Sequence, residues 1–541
     1  MRPNRRILVR SPRARARFAV TAVLALAVPV VVPGGAEARS AHTSSSVITQ
    51  WSTETLAPGV TVRSGVVRTA ATHSWTVTIQ VPSVLRLTTN DPDAPSSWSE
   101  VISRASADAT ARKLTTAGYR PRIEKVEWPQ YADTPHGLMG YRVRVGRFAT
   151  QDAAQSTLSA INSLGLHSTL SWTGYDVQEP ADRENIHVAL VDPKKFRGTV
   201  KATHNGNVTD REPTSAVSQK LHSLLGINGG FFVISPGDGV QGTMSGITAY
   251  HGKLESMAAG ARSALIIHGG RAFRTADLTS TVTVRARKAT YRIEGINRVP
   301  GTVRDCGRPG AEPSPRPWQD VTCTLDDDLV EFTPEFKAQL PSGPGMQVVV
   351  DASGRVVSVG PRGGRVPAHG YVLQGIGHAA DWLTGHASVR ERIVLSEVVR
   401  DSAGRRVKLD GDDSITSGAP TLVEDGRIDI DADAEGVVDA PYPHFGYAWA
   451  SVRQPRTMAG VDRHGRLILV TVDGRLKGGS EGFTLYEAAA FMKSLGAVQA
   501  MNLDGGGSTA MTVAGTLINQ PSDASGERAV GDTIQVLTTD D

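Results

Sequence analysis

The 541-residue sequence lacks several features that would indicate common classes of protein. No histidine follows His464, no His-Glu-x-x-His motif occurs, and no apolar run beyond the first 38 residues is long enough to span a membrane. A serine hydrolase built on a Gly-x-Ser-x-Gly turn needs a histidine after its serine, so the match at residues 478–482 does not indicate such an enzyme. The histidines also lack zinc-ligand spacing, and we predict neither a metal nor a cofactor.

Cysteine is scarce as well, because Cys306 and Cys323 are the only two in the sequence. They bracket a proline-rich stretch, and in an exported chain an even pair around a short loop most often forms a disulfide. Neither cysteine lies in a cationic motif that would activate a thiol for catalysis. We therefore predict a disulfide between them, stabilising by about 3 kcal/mol if it acts through loop entropy.

Without its first 38 residues, the sequence has no large excess of either basic or acidic side chains. The whole chain carries 58 basic and 54 acidic side chains, for a net charge of +4. Seven arginines precede an apolar run at residues 18–32 and a small-residue site ending at Ala38, which predicts a secretory signal peptide over residues 1–38. Because this segment holds those seven arginines and one glutamate, 51 basic and 53 acidic residues remain. We predict a secreted or cell-envelope protein with no nucleic-acid partner and no membrane span in the mature chain.

The rest of the sequence divides into three regions that differ in composition and in hydrophobic pattern. Residues 39–71 are rich in Ser, Thr and Ala and predict a linker. Residues 72–178 alternate as β-α-β-β-α-β, with Thr150 as the cap of the second helix, which predicts a small split βαβ sandwich. Residues 185–541 carry many short strand patterns and one persuasive helix at residues 485–495, with Thr484 and Glu487 as a capping box. The predicted fold class is α+β, with a β-rich C-terminal domain that has few helices.

The most informative motif is Asn-Leu-Asp-Gly-Gly-Gly-Ser-Thr at residues 502–509, which follows an apolar run. In a strand, Asn502 and Asp504 project from the same face. Three glycines let the backbone approach a ligand and point successive N–H groups at one anion, although a tight turn between two strands would also explain them. No lysine follows the last glycine, so this is not a P-loop. The ligand-binding candidates here are Asn502, Gly505, Gly506, Gly507 and Ser508.

Other motifs accompany this one. Gly-Ile-Asn-Gly-Gly-Phe-Phe at residues 226–232 is either a second glycine-rich ligand turn or an Asn-Gly hairpin turn. Further short motifs are QPRTMAGV at 454–461, VDGR at 472–475 and a Gly-Phe-Thr turn before Glu487. The additional binding candidates are Asn228, Gly229, Gly230, Arg456, Thr457, Arg475 and Arg528.

Together these motifs resemble the phosphodiester glycosidase family, related to the enzyme that uncovers mannose 6-phosphate. The resemblance implies hydrolysis of a sugar-1-phosphodiester, such as an N-acetylglucosamine-1-phosphodiester, to a free sugar and a phosphomonoester. For this reaction we expect Arg456 and the glycine amides to hold phosphate, with Arg528 or Arg475 as a second cation. Asp504 is the first candidate for the catalytic carboxylate and Asp473 the second. Glu487 is the third, although its capping box explains it without catalysis.

The segment GYRVRVGRFATQDAAQSTLSAINSLG at residues 140–165 resembles the second half of a SPOR domain. That resemblance implies binding to peptidoglycan glycan strands through residues 72–178. The alternative function is a non-catalytic, exported envelope protein that binds a glycan or an anionic polymer with the same glycine turns. The two hypotheses differ in whether a carboxylate reaches the anomeric carbon of a bound sugar.

Overall fold

The structure, a computed structural model, describes residues 48–69, 73–83, 97–176, 181–306, 317–476 and 479–538. Strands make up 43% of it and helices 14%, with five helices in the described part, which confirms the predicted β-rich α+β class. The predicted signal peptide at residues 1–38 lies outside the described residues. Within the described ranges, no helix combines the length and apolar character needed to cross a bilayer.

The element bounds are as follows. The five α-helices are α1 Arg104–Thr116, α2 Gln151–Ser163, α3 Thr214–Lys220, α4 His378–His386 and α5 Leu485–Ser494. The first strands are β1 Ile48–Ala57, β2 Val60–Arg68, β3 Trp75–Pro82, β4 Trp98–Ser99, β5 Pro121–Glu127, β6 Leu138–Phe148, β7 His167–Trp172, β8 Arg183–Val191, β9 Thr199–Thr203, β10 Glu212–Pro213 and β11 Leu225–Asn228. The middle strands are β12 Thr248–Tyr250, β13 Lys253–Ser256, β14 Ser263–His268, β15 Ala272–Ala286, β16 Ala289–Ile293, β17 Gly295–Ile296, β18 Thr302–Arg304, β19 Thr322–Thr324, β20 Asp328–Phe332, β21 Gly343–Val350, β22 Val356–Arg362, β23 Tyr371–Ile376, β24 Ile393–Asp401 and β25 Arg406–Val407. The last strands are β26 Ser414–Ser417, β27 Thr421–Glu424, β28 Arg427–Ile428, β29 Arg456–Asp462, β30 Leu467–Val472, β31 Ala497–Asn502, β32 Met511–Val513, β33 Thr516–Leu517, β34 Ala529–Val530 and β35 Thr533–Leu537.

The small N-terminal module has the predicted order of elements. Strands β3, β5, β6 and β7 pair antiparallel, and α1 and α2 cover one face around Val77, Val143 and Ile161. The hydroxyl of Thr150 accepts the N–H of Ala153 and so caps α2, as its position before the helical pattern predicts.

The predicted linker at residues 39–71 is wrong over residues 48–68. Strands β1 and β2 form a hairpin, and β2 pairs antiparallel with β8 in the largest sheet of the C-terminal domain. Val60 and Val62 are buried in the core of that domain. The Ser- and Thr-rich composition suggested a loose arm, but threonine favours strands and alternating valines supply a buried face.

The C-terminal domain is built on two sheets that share a core. The eight-stranded sheet has the order β1-β2-β8-β30-β29-β31-β27-β28, and a five-stranded sheet has the order β33-β32-β11-β35-β9. Apolar side chains of both sheets pack together, and α5 covers the other face of the larger sheet through Ala488 and Met492. Strands β29 and β30 are buried along their whole length because both faces are covered. The capping box at the start of α5 is confirmed.

A second β-rich region, between β12 and β26, adds a further core and the hairpin β18–β19. The predicted disulfide is present, and it joins Cys306 to Cys323 with 6.0 Å between their Cα atoms. It closes the end of this hairpin, where Trp318 and Phe445 form a small buried cluster with both cysteines.

The N-terminal module packs directly against the C-terminal domain. Tyr131 is 1% exposed and lies in the C-terminal core, where its hydroxyl donates to the carbonyl of Ala450 over 2.7 Å. Arg142 and Arg144 of the module are buried and share the carboxylate of Asp176, and Arg142 also donates to the hydroxyl of Tyr447 in the C-terminal domain. The two parts therefore form one body in which the module is fixed in place.

Candidate active site

The Asp-Gly-Gly-Gly loop leaves the middle of the large sheet at the end of β31. Two backbone hydrogen bonds anchor it to the neighbouring chain: the N–H of Leu503 donates to the carbonyl of Thr457 over 2.8 Å, and that of Gly506 donates to Pro455 over 3.1 Å. The loop thus lies beside the start of β29, which is where Arg456 enters the sheet. This pairing brings Asp504 and Arg456 together.

Asn228 fixes the same loop from behind. Its Nδ2 donates to the carbonyl of Asp504 over 2.8 Å, and its Oδ1 accepts the hydroxyl of Thr457 over 2.7 Å and the N–H of Ala510 over 3.1 Å. Both Asn228 and Thr457 are fully buried. The structure therefore places these two predicted binding residues behind the loop, where they position it.

A small cleft opens at this point, and we call it the Asp504 cleft. It combines residues from five separate stretches of the chain. Its lining is Phe231, Gln319, Asp320, Gln454, Arg456, Arg475, Asn502, Asp504, Gly505 and Gly506. Six of these were candidates from the sequence, namely Arg456, Arg475, Asn502, Asp504, Gly505 and Gly506.

Two arginines give the cleft its electrostatic character. Arg456 is 4% exposed, and its Nε donates to the carbonyl of Phe483 over 2.8 Å. Burial lowers the pKa of Arg456 to about 10, and the nearby charge of Arg475 adds to that lowering. Arg475 has a left-handed backbone with φ of 58°, and its Nε donates to the side chain of Gln454. Two cations that repel one another beside a cleft form a favourable place for an anion.

The glycine run is explained mainly by close packing. A Cβ on Gly505 would lie 2.7 Å from the carbonyl oxygen of Pro455, and one on Gly507 would lie 2.1 Å from Arg528. Gly506 has a left-handed backbone, and its N–H already bonds to Pro455. The expectation that three successive amides point at one anion is therefore wrong.

Polar side chains at the ends of the motif are buried. The amide nitrogen of Asn502 donates to the carbonyls of Ala419 and Leu503 at 2.8 and 2.7 Å. Its Oδ1 and the hydroxyl of Ser508 have no hydrogen-bond partner within the described ranges. Asn502 lines the cleft, so this acceptor is suited to a donor group of a ligand, whereas Ser508 is 1% exposed and does not line it.

Arg528 lies outside the lining of the Asp504 cleft. Its guanidinium forms a two-pronged ion pair with Asp523, with Nε donating over 2.8 Å and Nη2 over 3.0 Å. The pair packs against Gly507. Its position favours support of the loop and not direct contact with a ligand.

Asp473 lies in a different cleft, which we call the Asp473 cleft, beside the hairpin β1–β2. Its two oxygens accept the N–H of Gln520 over 3.1 Å and the side-chain amide of Asn185 over 3.3 Å. Burial raises the pKa of Asp473 to about 6. Asp473 is separated from Arg475 by one residue, yet the structure does not bring its carboxylate to the cleft that Arg475 lines.

Glu487 is held by two structural interactions. It completes the capping box, accepting the N–H of Thr484 over 2.9 Å. It also pairs with Arg453 over 2.6 Å, and that buried arginine donates to the carbonyls of Gly174 and Asp176 in the N-terminal module. Glu487 is absent from the lining of the Asp504 cleft and links α5 to the module.

The Asn-Gly-Gly turn is held by Asp532, which no sequence motif indicated. The N–H of Gly230 donates to Oδ1 of Asp532 over 2.9 Å, and Tyr250 donates to the other oxygen over 3.0 Å. A Cβ on Gly229 would lie 2.0 Å from the same carboxylate. Gly229 therefore allows Asp532 to approach the turn, and no local sequence pattern indicated that contact.

Two further lining residues, Gln319 and Asp320, come from the hairpin that the disulfide closes. Their only signal in the sequence was the cysteine pair around them, which indicated an ordered loop but no role. In the described part of the chain, no group of three His, Cys, Asp or Glu side chains is arranged to hold a metal ion.

Two family models match separate parts of this chain. A family model described as phosphodiester glycosidase matches residues 345–537, which include Arg456, Arg475 and Asp504. The chain carries a phosphodiester glycosidase domain. A second family model, the SPOR domain, matches residues 101–169 within the N-terminal module.

Relatives of the glycosidase domain are similar over short stretches. The mouse N-acetylglucosamine-1-phosphodiester alpha-N-acetylglucosaminidase is 36% identical over 110 residues, 20% of this chain and 21% of that protein. An uncharacterized prophage-derived protein of Bacillus subtilis is 42% identical over 95 residues, 17% of this chain and 14% of that protein. This chain thus spans about a fifth or less of the length of these curated relatives.

A solved structure is similar over a much longer part of the chain. A crystal structure of a Burkholderia pseudomallei protein has a TM-score of 0.76 and 29% sequence identity, covering 91% of this chain and 96% of that one. This coverage extends over both the SPOR domain and the glycosidase domain.

Proposed function

We propose that this protein hydrolyses a sugar-1-phosphodiester, of the N-acetylglucosamine-1-phosphodiester type, to a free sugar and a phosphomonoester. The observation that carries the proposal is the convergence of Arg456, Arg475 and Asp504 on one cleft. The match of residues 345–537 to the phosphodiester glycosidase family supports the same reaction class.

The chemistry of the cleft suits this reaction. A phosphodiester carries one negative charge, which would relieve the repulsion between the two arginines. Phosphate is a good leaving group, so the reaction depends less on a general acid than ordinary glycoside hydrolysis does. The remaining tasks are to stabilise positive charge at the anomeric carbon and to direct water or act as a nucleophile. Asp504 is partly exposed in the cleft, and its carboxylate is the group we assign to these tasks.

We further propose that the protein acts at the cell envelope and that its SPOR domain binds peptidoglycan glycan strands. The match of residues 101–169 and the Cys306–Cys323 disulfide support an exported location, because disulfides persist in oxidising compartments. Attachment to the wall would raise the local concentration of a wall-linked sugar phosphodiester.

The test compares the wild-type protein with Asp504→Asn and with Asp462→Asn, a control at the far end of strand β29. Release of N-acetylglucosamine from UDP-N-acetylglucosamine is measured, together with thermal unfolding. We expect Asp504→Asn to lower turnover by about 10²- to 10³-fold without loss of folding. A wild-type rate in Asp504→Asn would contradict the catalytic assignment. Tight binding by the wild-type protein without turnover would favour the non-catalytic glycan-binding alternative.

A further inference from the structure

We propose that the disulfide-closed hairpin β18–β19 forms the sugar-binding wall of the Asp504 cleft, with the carboxylate of Asp320 accepting hydrogen bonds from hydroxyl groups of the sugar. The inference rests on the proposed function and adds a specificity-determining residue to it. Asp320 lies outside residues 345–537, so the family match does not reach it.

Asp320 is held firmly at the cleft. Its backbone is left-handed, with φ of 60°, and its N–H donates to Oδ1 of Asp305 over 2.9 Å. Its own Oδ1 accepts Nη2 of Arg304 over 2.8 Å. Residues in the left-handed region persist where their surroundings over-determine them, and they concentrate at functional sites. Arg475 is a second left-handed residue in the lining of the same cleft.

The segment that carries Asp320 is anchored on several sides. Trp318 is fully buried and stacks on Phe445 with 4.3 Å between ring centroids. The N–H of Gln319 donates to the carbonyl of Gly436 over 3.0 Å. Buried Arg262 donates to the carbonyl of Pro317 over 2.5 Å and to Oδ2 of Asp305 over 2.6 Å, which ties both arms of the hairpin together. A carboxylate supported in this way is preorganised for binding.

The charge of Asp320 indicates the kind of group that it binds. Its side chain is 13% exposed and is ion-paired with Arg304. An ionised carboxylate accepts hydrogen bonds and donates none, and it repels phosphate. The partner is therefore a donor such as a sugar hydroxyl or acetamido N–H. The cleft then has the two kinds of contact that a sugar phosphate needs, since Arg456 and Arg475 attract the anion while Asp320 and Gln319 bind polar groups of the sugar.

The experiment compares Asp320→Asn with Asp238→Asn in the full chain. Asp238 is a matched control because it also lies beside Arg304, at 3.5 Å, but does not line the cleft. Hydrolysis is measured with UDP-glucose and with UDP-N-acetylglucosamine, UDP-galactose and UDP-xylose, each of which differs from UDP-glucose at one position of the sugar. Calorimetry then measures binding of N-acetylglucosamine-1-phosphate and of inorganic phosphate.

We expect Asp320→Asn to lower kcat/KM for the preferred sugar by about 10- to 100-fold, the loss typical of one hydrogen bond to a charged group. At least one of the other sugars lacks or inverts the hydroxyl group that Asp320 binds. For that substrate, Asp320→Asn should lower kcat/KM by less than about threefold. Asp238→Asn should stay within about threefold of wild type on every substrate.

Equal losses on all four sugars, no loss on any, or an equal loss in Asp238→Asn would overturn the inference. The binding arm separates it from the proposed function. If the wild-type protein binds the sugar phosphate without turnover, the hydrolase proposal fails. The role of Asp320 then stands only if Asp320→Asn weakens sugar phosphate binding at least tenfold and leaves phosphate binding unchanged. If the wild-type protein binds no sugar phosphate, both proposals fail.

Discussion

Two pairs of arginines in this protein have different electrostatic surroundings. Arg142 and Arg144, in strand β6 of the SPOR domain, share the carboxylate of Asp176. Burial by itself would lower the pKa of Arg144, yet Asp176 raises it, and Tyr447 and Asp176 likewise raise the pKa of Arg142. In the cleft, by contrast, burial lowers the pKa of Arg456 to about 10 and Arg475 adds to the effect.

The difference separates a structural ion cluster from the binding site that we propose. At the SPOR domain the protein itself supplies the counter-charge, and Arg142 also donates to the hydroxyl of Tyr447 in the C-terminal domain. In the Asp504 cleft Arg456 and Arg475 lie close enough to repel one another, and the carboxylates of Asp504 and Asp320 belong to the same lining. Four predictions test this contrast, in order of decreasing expected effect.

The largest effect is expected at Asp176. Replacing it by Asn leaves Arg142 and Arg144 buried without their main counter-charge, which typically costs about 3–5 kcal/mol of unfolding free energy. Urea unfolding of the full chain at pH 7 measures this loss. Asp108→Asn is the control, because Asp108 pairs with Arg104 on the exposed surface of α1 and should cost about 0.5 kcal/mol or less. If Asp176→Asn and Asp108→Asn lower the free energy of unfolding by similar amounts, the cluster of Arg142, Arg144 and Asp176 stabilises the fold no more than a surface ion pair does.

The second prediction concerns the other arginine pair. Arg456→Met should reduce turnover of a sugar-1-phosphodiester by about 10²- to 10³-fold, because it removes a cation placed for the phosphate. The free energy of unfolding should stay the same or rise, since the variant relieves repulsion with Arg475. Arg463→Met, an exposed change just after the same strand, serves as the control. Strong destabilisation by Arg456→Met would mean that this arginine is structural, as Arg142 is.

Inorganic phosphate should stabilise the protein through Arg456 and Arg475 and not through Arg142 and Arg144, and this can be measured without a substrate. At ten times its dissociation constant, phosphate should stabilise the wild-type protein by about 1.4 kcal/mol through binding to the native state. Arg456→Met should abolish this gain in a thermal unfolding series at constant ionic strength, whereas Asp108→Asn should keep it. A gain that survives in Arg456→Met would place the anion elsewhere.

The smallest effect on turnover is expected at Asp473. Burial raises its pKa to about 6, above the unfolded value near 3.9, so the native state holds this proton more tightly. The resulting stabilisation is complete below about pH 4 and is lost as the pH rises through 6. Asp473→Asn should flatten this part of the pH dependence in unfolding experiments while changing turnover by less than about twofold. A large loss of turnover would return Asp473 to the catalytic machinery.

Local sequence patterns were enough for several elements. Thr150 and Thr484 fixed the starts of α2 and α5, because a capping hydroxyl binds an N–H only three residues ahead. The spacing within residues 502–509 placed Asn502 and Asp504 at one cleft, since alternate residues at the end of a strand share a face. Such patterns act over a few residues and need no knowledge of the rest of the chain.

Other features depended on contacts between distant segments. The Ser- and Thr-rich stretch around Val62 forms a hairpin because its second strand pairs with β8 at the edge of the large sheet. Asp473 and Arg475 are near neighbours in sequence but belong to different clefts. Asp532 and Asp320 reach their sites from far along the chain, and no motif around either one indicated its partner.

The sequence by itself determined the β-rich fold class, the caps of α2 and α5, the disulfide pair and the loop that carries Asp504. Each of these follows from local geometry or from residue chemistry. Only the tertiary structure decided which charged side chains share a cleft and which are neutralised inside the fold. The reason is that β29 lies between β30 and β31, and the hairpin β18–β19 is held beside them by Arg262 and Trp318. Neighbours in this fold are set by long-range pairing, which composition and spacing do not encode.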